Sequence, residues 1–169
     1  MGTGRHERAR VRAAQEGSRA DLEALFEAHW PRAYRAAYLV THDAAASEDI
    51  AQEAFLAAIR NLDRFDRRRP FGPWLHRIVV NRAIDWTRAR RLRAEVELAD
   101  SHLAAEDPEP PGEDVLAALA RLPPEHRAVI VMRYLLELTP GEIAEALGLP
   151  RGTVNSRLRR GLDRLGSEL

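Results

Sequence analysis

The sequence predicts an all-α protein made of two small helical domains joined by an acidic, proline-containing linker. Three observations carry this expectation. Apolar residues recur at steps of three and four with no alternating strand pattern. A complete helix-turn-helix signature stands near the C-terminus, and charge is segregated into blocks along the chain. At 169 residues and 45% apolar content the chain holds one domain or two small ones, each near the lower size limit for an independent core. There are no cysteines, which excludes disulfides and thiolate zinc sites, and the six histidines show no metal-ligand spacing. No metal or cofactor is expected. No apolar run approaches the ~20 residues of a membrane span and the N-terminus lacks an apolar signal core, so a cytoplasmic location is expected.

Residues 1–19 carry five arginines against Glu7 and Glu16 and read as an N-terminal tail suited to disorder. A first helical domain spans 20–93. Leu22, Leu25, Phe26 and Trp30 form one apolar face, Pro31 marks a break or restart, and Tyr34, Ala37, Tyr38 and Val40 continue it. Ser47, Glu48 and Asp49 make a polar, acidic helix start. Behind them Ile50, Ala54, Phe55, Ala58, Ile59 and Leu62 face inward, and Asp49, Gln52, Glu53 and Arg60 face outward. Asp49 and Glu53 lack a third ligand for a metal, which leaves a solvated face or a docking surface.

A loop from Asp63 to Pro70 contains Arg67, Arg68 and Arg69. A third long helix begins near Phe71, with Trp74, Leu75, Ile78, Val79 and Trp86 as inward anchors. Between Arg64 and Arg93 there are ten arginines against Asp66 and Asp85. Basic side chains interleaved with aromatics suit a separated DNA strand; core packing is the alternative for the tryptophans, favoured for Trp74. Residues 94–112 form the linker: from Ala94 to Asp114 there are eight acids and no lysine or arginine, with Pro108, Pro110, Pro111 and Gly112. It is either a plain spacer or an acidic strand for a basic channel.

A second domain occupies 113–169. Thr139, Pro140 and Glu142 form a capping box with proline in the first turn, Gly148 supplies the tight turn, and Pro150 opens the last helix. On that helix Val154, Leu158, Leu162 and Leu165 face inward while Asn155, Ser156, Arg159 and Arg160 face out. A recognition helix entering the major groove needs such an outer stripe. Net charge is formally zero, so the two basic surfaces are balanced by the acidic block and nonspecific affinity for duplex DNA is expected to be low.

Three segments together carry a family resemblance: SEDIAQEAFLAAIRNLDRF (47–65), FGPWLHRIVVNRAIDWTRARR (71–91) and ALARLPPEHRAVIVMRYLLELTPGEIAEALGLPRGTVNSRLRRGLDRL (118–165). In order and spacing they are similar to the extracytoplasmic-function (ECF) group of the sigma-70 family, bacterial RNA polymerase initiation factors with a region 2 domain and a region 4 domain. The resemblance implies that Asp49, Gln52 and Glu53 dock on core polymerase. It implies that Asn61, Arg64, Arg67, Arg68, Arg69, Asn81, Asp85 and Arg88 bind the melted −10 element. It places −35 contacts on Arg151, Thr153, Asn155, Ser156, Arg159 and Arg160, and threads the acidic linker toward the active-site and RNA-exit channel. Promoter DNA, core polymerase and an anti-sigma factor are the implied partners, with no catalysis by the chain itself. Gly72 and Pro73 depart from the family's usual polar residues before Trp74. The alternative reading is a stand-alone helix-turn-helix regulator, which would bind duplex operators by itself.

Overall fold

Small apolar residues at helical spacing let the helices of the first half approach closely, and large ones between them fill the core. In a computed structural model, which describes residues 3–100 and 115–168, the elements run α1 (Thr3–Gln15), α2 (Arg19–Thr41), α3 (Ala44–Arg60), α4 (Phe71–Asp100), α5 (Val115–Arg121), α6 (Pro124–Ile130), α7 (Pro140–Leu147) and α8 (Arg151–Glu168). A 3₁₀ turn at Leu62–Arg64 follows α3, and a π turn at Val131–Leu135 extends α6. Among the described residues there is no strand.

α2, α3 and α4 form a bundle. Ala33, Ala36, Ala37 and Val40 of α2, Ala51 and Ala54 of α3, and Leu75, Val79, Val80 and Ala83 of α4 are fully buried. α2 runs unbroken through Pro31, contrary to the break expected there. The lost hydrogen bond and ring clash cost about 3 kcal/mol. Burial of Leu25 on one side and of Ala33, Ala36, Ala37 and Val40 on the other fastens both halves of the helix into the core. α3 begins earlier than the Ser47 start expected from sequence: Asp43 is the cap, accepting from the Ala46 N–H at 2.9 Å. Ser47 is instead buried and shares a hydrogen bond with Thr41 at 2.9 Å, so it serves the α2–α3 corner.

Residues 3–15, expected as a disordered tail, form α1. Val11 is 2% exposed, Glu7 Oε1 meets His29 Nε2 at 2.8 Å, and Gln15 Nε2 donates to the carbonyls of Leu62 at 2.8 Å and Phe65 at 3.1 Å. α4 continues to Asp100, beyond the expected boundary at 94. Residues 101–114, most of the acidic linker, lie outside the described residues.

In the C-terminal half the capping box is complete. Thr139 Oγ1 accepts from the Glu142 N–H at 3.3 Å, and Glu142 Oε2 accepts from the Thr139 N–H at 2.7 Å. The Thr139 hydroxyl also donates to Glu142 Oε2 at 2.7 Å, and this bond together with that from the Thr139 N–H holds the Glu142 carboxyl below its ordinary pKa. Gly148 ends α7 at φ 63°, the left-handed cap that glycine adopts without strain. On α8 the inward stripe is Val154, Leu158, Gly161 and, half-buried, Leu165; Leu162, expected inside, is 40% exposed. A Cβ at 161 would lie 2.7 Å from Ile130 Cδ1. α8 therefore crosses α6 at a glycine, and this close approach rotates Leu162 outward.

One buried apolar cluster runs through both halves, from Val11 to Leu158, so the two helical units pack against each other. The Thr139→Ala chain should lose about 1 kcal/mol of stability in urea unfolding followed by circular dichroism. A midpoint equal to that of the unsubstituted chain would mean that the box does not support α7.

Candidate nucleic-acid interface

The outer face of α8 follows from its inner one. With Val154, Leu158 and Gly161 turned toward α6 and α7, the 3.6-residue period leaves Arg151, Asn155, Arg159 and Arg160 exposed and Thr153 and Ser156 half-buried at the margin. All six predicted residues thus share the solvent side of one helix. Burial lowers the pKa of His126, which packs behind α8, and the α8 arginines Arg157, Arg164 and Arg160 add to the effect. The face presents guanidinium forks, an amide and hydroxyls, a set that can donate to base edges and phosphate oxygens.

The second face comprises the loop after α3 and one side of α4. The loop is positioned by its apolar residues. Leu62 and Phe65 are buried, and the Phe65 ring lies 4.6 Å from that of Trp74 and 5.8 Å from that of Phe71, centroid to centroid. Trp74 therefore acts as the packing anchor favoured from sequence. Asp66 closes a tight turn by accepting from the Arg68 N–H and Nε, both at 3.0 Å, and these bonds hold its carboxyl below the usual range. Arg64, Arg67, Arg68 and Arg69 all emerge exposed from this anchored loop. Asn61 folds its amide back onto the Ala57 carbonyl at 2.8 Å. On α4, Asn81 is half-buried, and Asp85 and Arg88 are exposed, 4.0 Å apart. Trp86 sits half-buried beneath the Arg90 guanidinium at 5.3 Å.

The third predicted set, Asp49, Gln52 and Glu53, lies on the exposed side of α3. Glu53 pairs with Arg82 of α4 at 2.6 Å, and Gln52 donates to Glu48 at 3.3 Å. No group of three metal-ligating side chains occurs among the described residues.

The structure adds residues that the sequence reading passed over. Gln15 pins the loop from α1, across 47 and 50 residues of chain. Arg32, Glu125, Glu145 and the carbonyl of Ala146 meet residues of the opposite domain. None carries a local signal, because each acts on a partner distant in sequence.

Comparison with known proteins is consistent across the whole chain. The profile of Sigma-70 region 2 matches residues 25–93, and that of Sigma-70, region 4 matches residues 112–165. The ECF RNA polymerase sigma factor SigW of Bacillus subtilis is 33% identical over 95% of this chain and 95% of its own. The ECF RNA polymerase sigma factor SigL of Mycobacterium tuberculosis is 35% identical over 89% of each. Among solved structures, CnrH, determined in complex with the cytosolic domain of CnrY, superposes with a TM-score of 0.71 at 30% identity over 95% of both chains.

Gln15→Ala should release the loop. Two side-chain hydrogen bonds of about 1 kcal/mol each are lost, and two carbonyls are left to find water. Amide hydrogen exchange should quicken through 62–69 and stay unchanged in α8; equal protection of the loop in both chains would show that Gln15 does not hold it.

Proposed function

We propose, because the chain belongs to the sigma-70 family and to its ECF group, that the two exposed faces divide promoter recognition between them. As an ECF sigma factor the chain binds core RNA polymerase and directs it to promoters through −10 and −35 elements for transcription initiation. The observation that carries the residue-level reading is α8, where Arg151, Asn155, Arg159 and Arg160 are exposed and Thr153 and Ser156 half-buried while the Val154, Leu158 and Gly161 stripe is buried.

Within this reading Arg151, Thr153, Asn155, Ser156, Arg159 and Arg160 contact the −35 duplex. An arginine fork can read guanine O6 and N7 in the major groove, whereas contacts to phosphate fix register without reading sequence. The loop residues Arg64, Arg67, Arg68 and Arg69, with Asn61, Asn81, Asp85 and Arg88, hold the melted −10 strand. There a base leaves the stack at a cost of a few kcal/mol, offset by contacts to its exposed edge. An anchored loop suits this task, since ordering it is already complete before DNA arrives. Asp49, Gln52 and Glu53 supply the docking surface for core polymerase.

We assign no chemistry to the chain itself: nucleotidyl transfer belongs to the polymerase, and the chain contributes binding energy that selects the site and favours strand separation. It works where the polymerase works, in the bacterial cytoplasm. Regulation by an anti-sigma protein is part of the proposal. The complex of CnrH with a domain of CnrY supports a partner of this kind.

Asp49→Ala should weaken binding to core polymerase without changing the unfolding transition; undiminished affinity would remove the docking assignment. For Arg160→Ala, initiation from a −35-dependent promoter should fall about tenfold, the loss of one base or phosphate contact. Promoter use at the level of the unsubstituted chain would exclude Arg160 from the recognition face.

A further inference from the structure

Folding alone does not account for the charge on α1. Thr3–Gln15 carries Arg5, Arg8, Arg10 and Arg12 against the single acid Glu7, and Glu7 is turned inward to His29 at 2.8 Å. Val11 faces the core, and Gln15 reaches the Leu62 and Phe65 carbonyls at the base of the arginine loop. At about 100° per residue, Gln15 lies about 40° round the helix from Val11, and Arg8, Arg12 and Arg5 follow on the same side within the next ~80° of arc. Arg10 falls on the other flank. The stripe therefore runs along the flank of α1 that turns toward the loop. We propose that Arg5 and Arg8 contact phosphates of the melted strand beside the −10 element, so that α1 lengthens the track that begins on the loop. The proposal rests on the assignment of Arg64, Arg67, Arg68 and Arg69 to that strand.

No acid of the chain offsets these charges. Arg5 and Arg8 are exposed and form no ion pair among the described residues, whereas Arg12 is paired with Glu16 at 2.9 Å. Arg5 also stands in the first turn, where the helix dipole disfavours a cation. Arg64 and Arg67 of the loop are likewise exposed and without an ion pair among the described residues. Four guanidinium groups gathered on two joined elements make a positive surface that draws a polyanion, and each offers phosphate a planar fork of donors. The region 2 profile begins at residue 25, after α1, so the matched residues do not include this arm.

Length and direction fix where the strand would run. Arg5 lies roughly 15 Å along the helix from Gln15, at about 1.5 Å per residue. That length takes in about four phosphates of one stacked strand at roughly 3.4 Å each. α4 runs away from the loop through Asn81 and Arg88 and leads on, through the linker, to the unit assigned to the −35 element. That end of the face is upstream. α1 stands at the other end: its Glu7 holds His29, whose ring lies 5.3 Å from that of Phe71 in the first turn of α4. The phosphates at α1 are therefore those immediately downstream of the −10 element. Because a phosphate carries no base identity, these contacts add affinity without adding sequence preference.

The test uses the full chain assembled with core polymerase and two single-stranded probes from a promoter at which that holoenzyme initiates. One probe ends at the −10 element, and the other carries about five further nucleotides downstream, enough to pass Arg5. The variant Arg5→Gln with Arg8→Gln should unfold as the unsubstituted chain does and bind the shorter probe unchanged. The tighter binding gained with the longer probe should fall several-fold, and the slope of log affinity against log salt on that probe should drop by about 1.4, two phosphates at roughly 0.7 each. Methylphosphonate linkages in the added nucleotides should abolish the difference between the two chains, and Arg5→Lys with Arg8→Lys should restore most of the gain on the unmodified probe. A variant that keeps the full gain and the full salt slope overturns the proposal. So does a loss equal on both probes, which would mean that these arginines act on the fold or on core binding. Failure of the unsubstituted holoenzyme to prefer the −10 probe over a scrambled strand would instead sink the −10 assignment, and the proposal with it.

Discussion

Close packing of α4 against the alanine faces of α2 and α3 is the constraint on which the rest depends. Ala33, Ala36 and Ala37 on one side and Ala51 and Ala54 on the other are fully buried, and between them Leu75, Val79 and Val80 are excluded from water. Alanine gives up no rotamer freedom on burial, so close approach is gained without that cost, while the larger side chains supply most of the buried apolar area. This contact fixes α4 as a rigid rod. Its first turn carries Phe71 and Trp74, the seat of Phe65 and hence of the arginine loop. Further along it presents Asn81 and Arg88 at a set angle to that loop. One packing decision thus positions both parts of the proposed −10 face.

Charge then does in sequence blocks what packing does in space. The formal net charge is zero, yet arginines are concentrated on the loop, on α4 and on α8, and no lysine occurs in the chain. Arginine keeps its charge at every relevant pH and offers a planar fork to phosphate, carboxylate and carbonyl alike. The same property lets Arg69 and Arg88 pair with the carboxylates of Glu145 and Glu125. A neutral total limits nonspecific attraction to duplex DNA, which leaves selection to the assembled polymerase.

Much of the fold was legible because its signals are local. The capping box at Thr139, the left-handed Gly148 and the inward Ile50, Ala54, Phe55 and Ala58 of α3 can be recognised within one or two helical turns, and all occur. The proposed −35 set could be read for the same reason, since helical period alone puts it on one face. Other features needed the tertiary structure. Pro31 obeys a local rule that buried neighbours on both sides override. Gly161 carries no apolar signal, so the stripe was extended through Leu162, when the crossing with Ile130 requires the absence of a side chain. α1 has few apolar residues, and what orders it is Val11 together with polar contacts from Glu7 and Gln15 to partners far along the chain. The packing of the two halves was invisible for a similar reason. The pairs between the two helical units join residues 37 to 105 positions apart, and exposed Glu145 and Arg69 look like ordinary solvated charges when read alone.

Affinity for core polymerase separates a sigma factor from a regulator that acts on DNA by itself. A parallel titration of the purified chain against bacterial core RNA polymerase and against promoter duplex alone tests it most directly. Tight binding to core with weak binding to free duplex is the predicted result, because the neutral total charge gives little nonspecific attraction to DNA and promoter selection belongs to the assembled polymerase. Tight binding to duplex with no affinity for core would contradict it, and would make the chain a regulator that acts on DNA by itself.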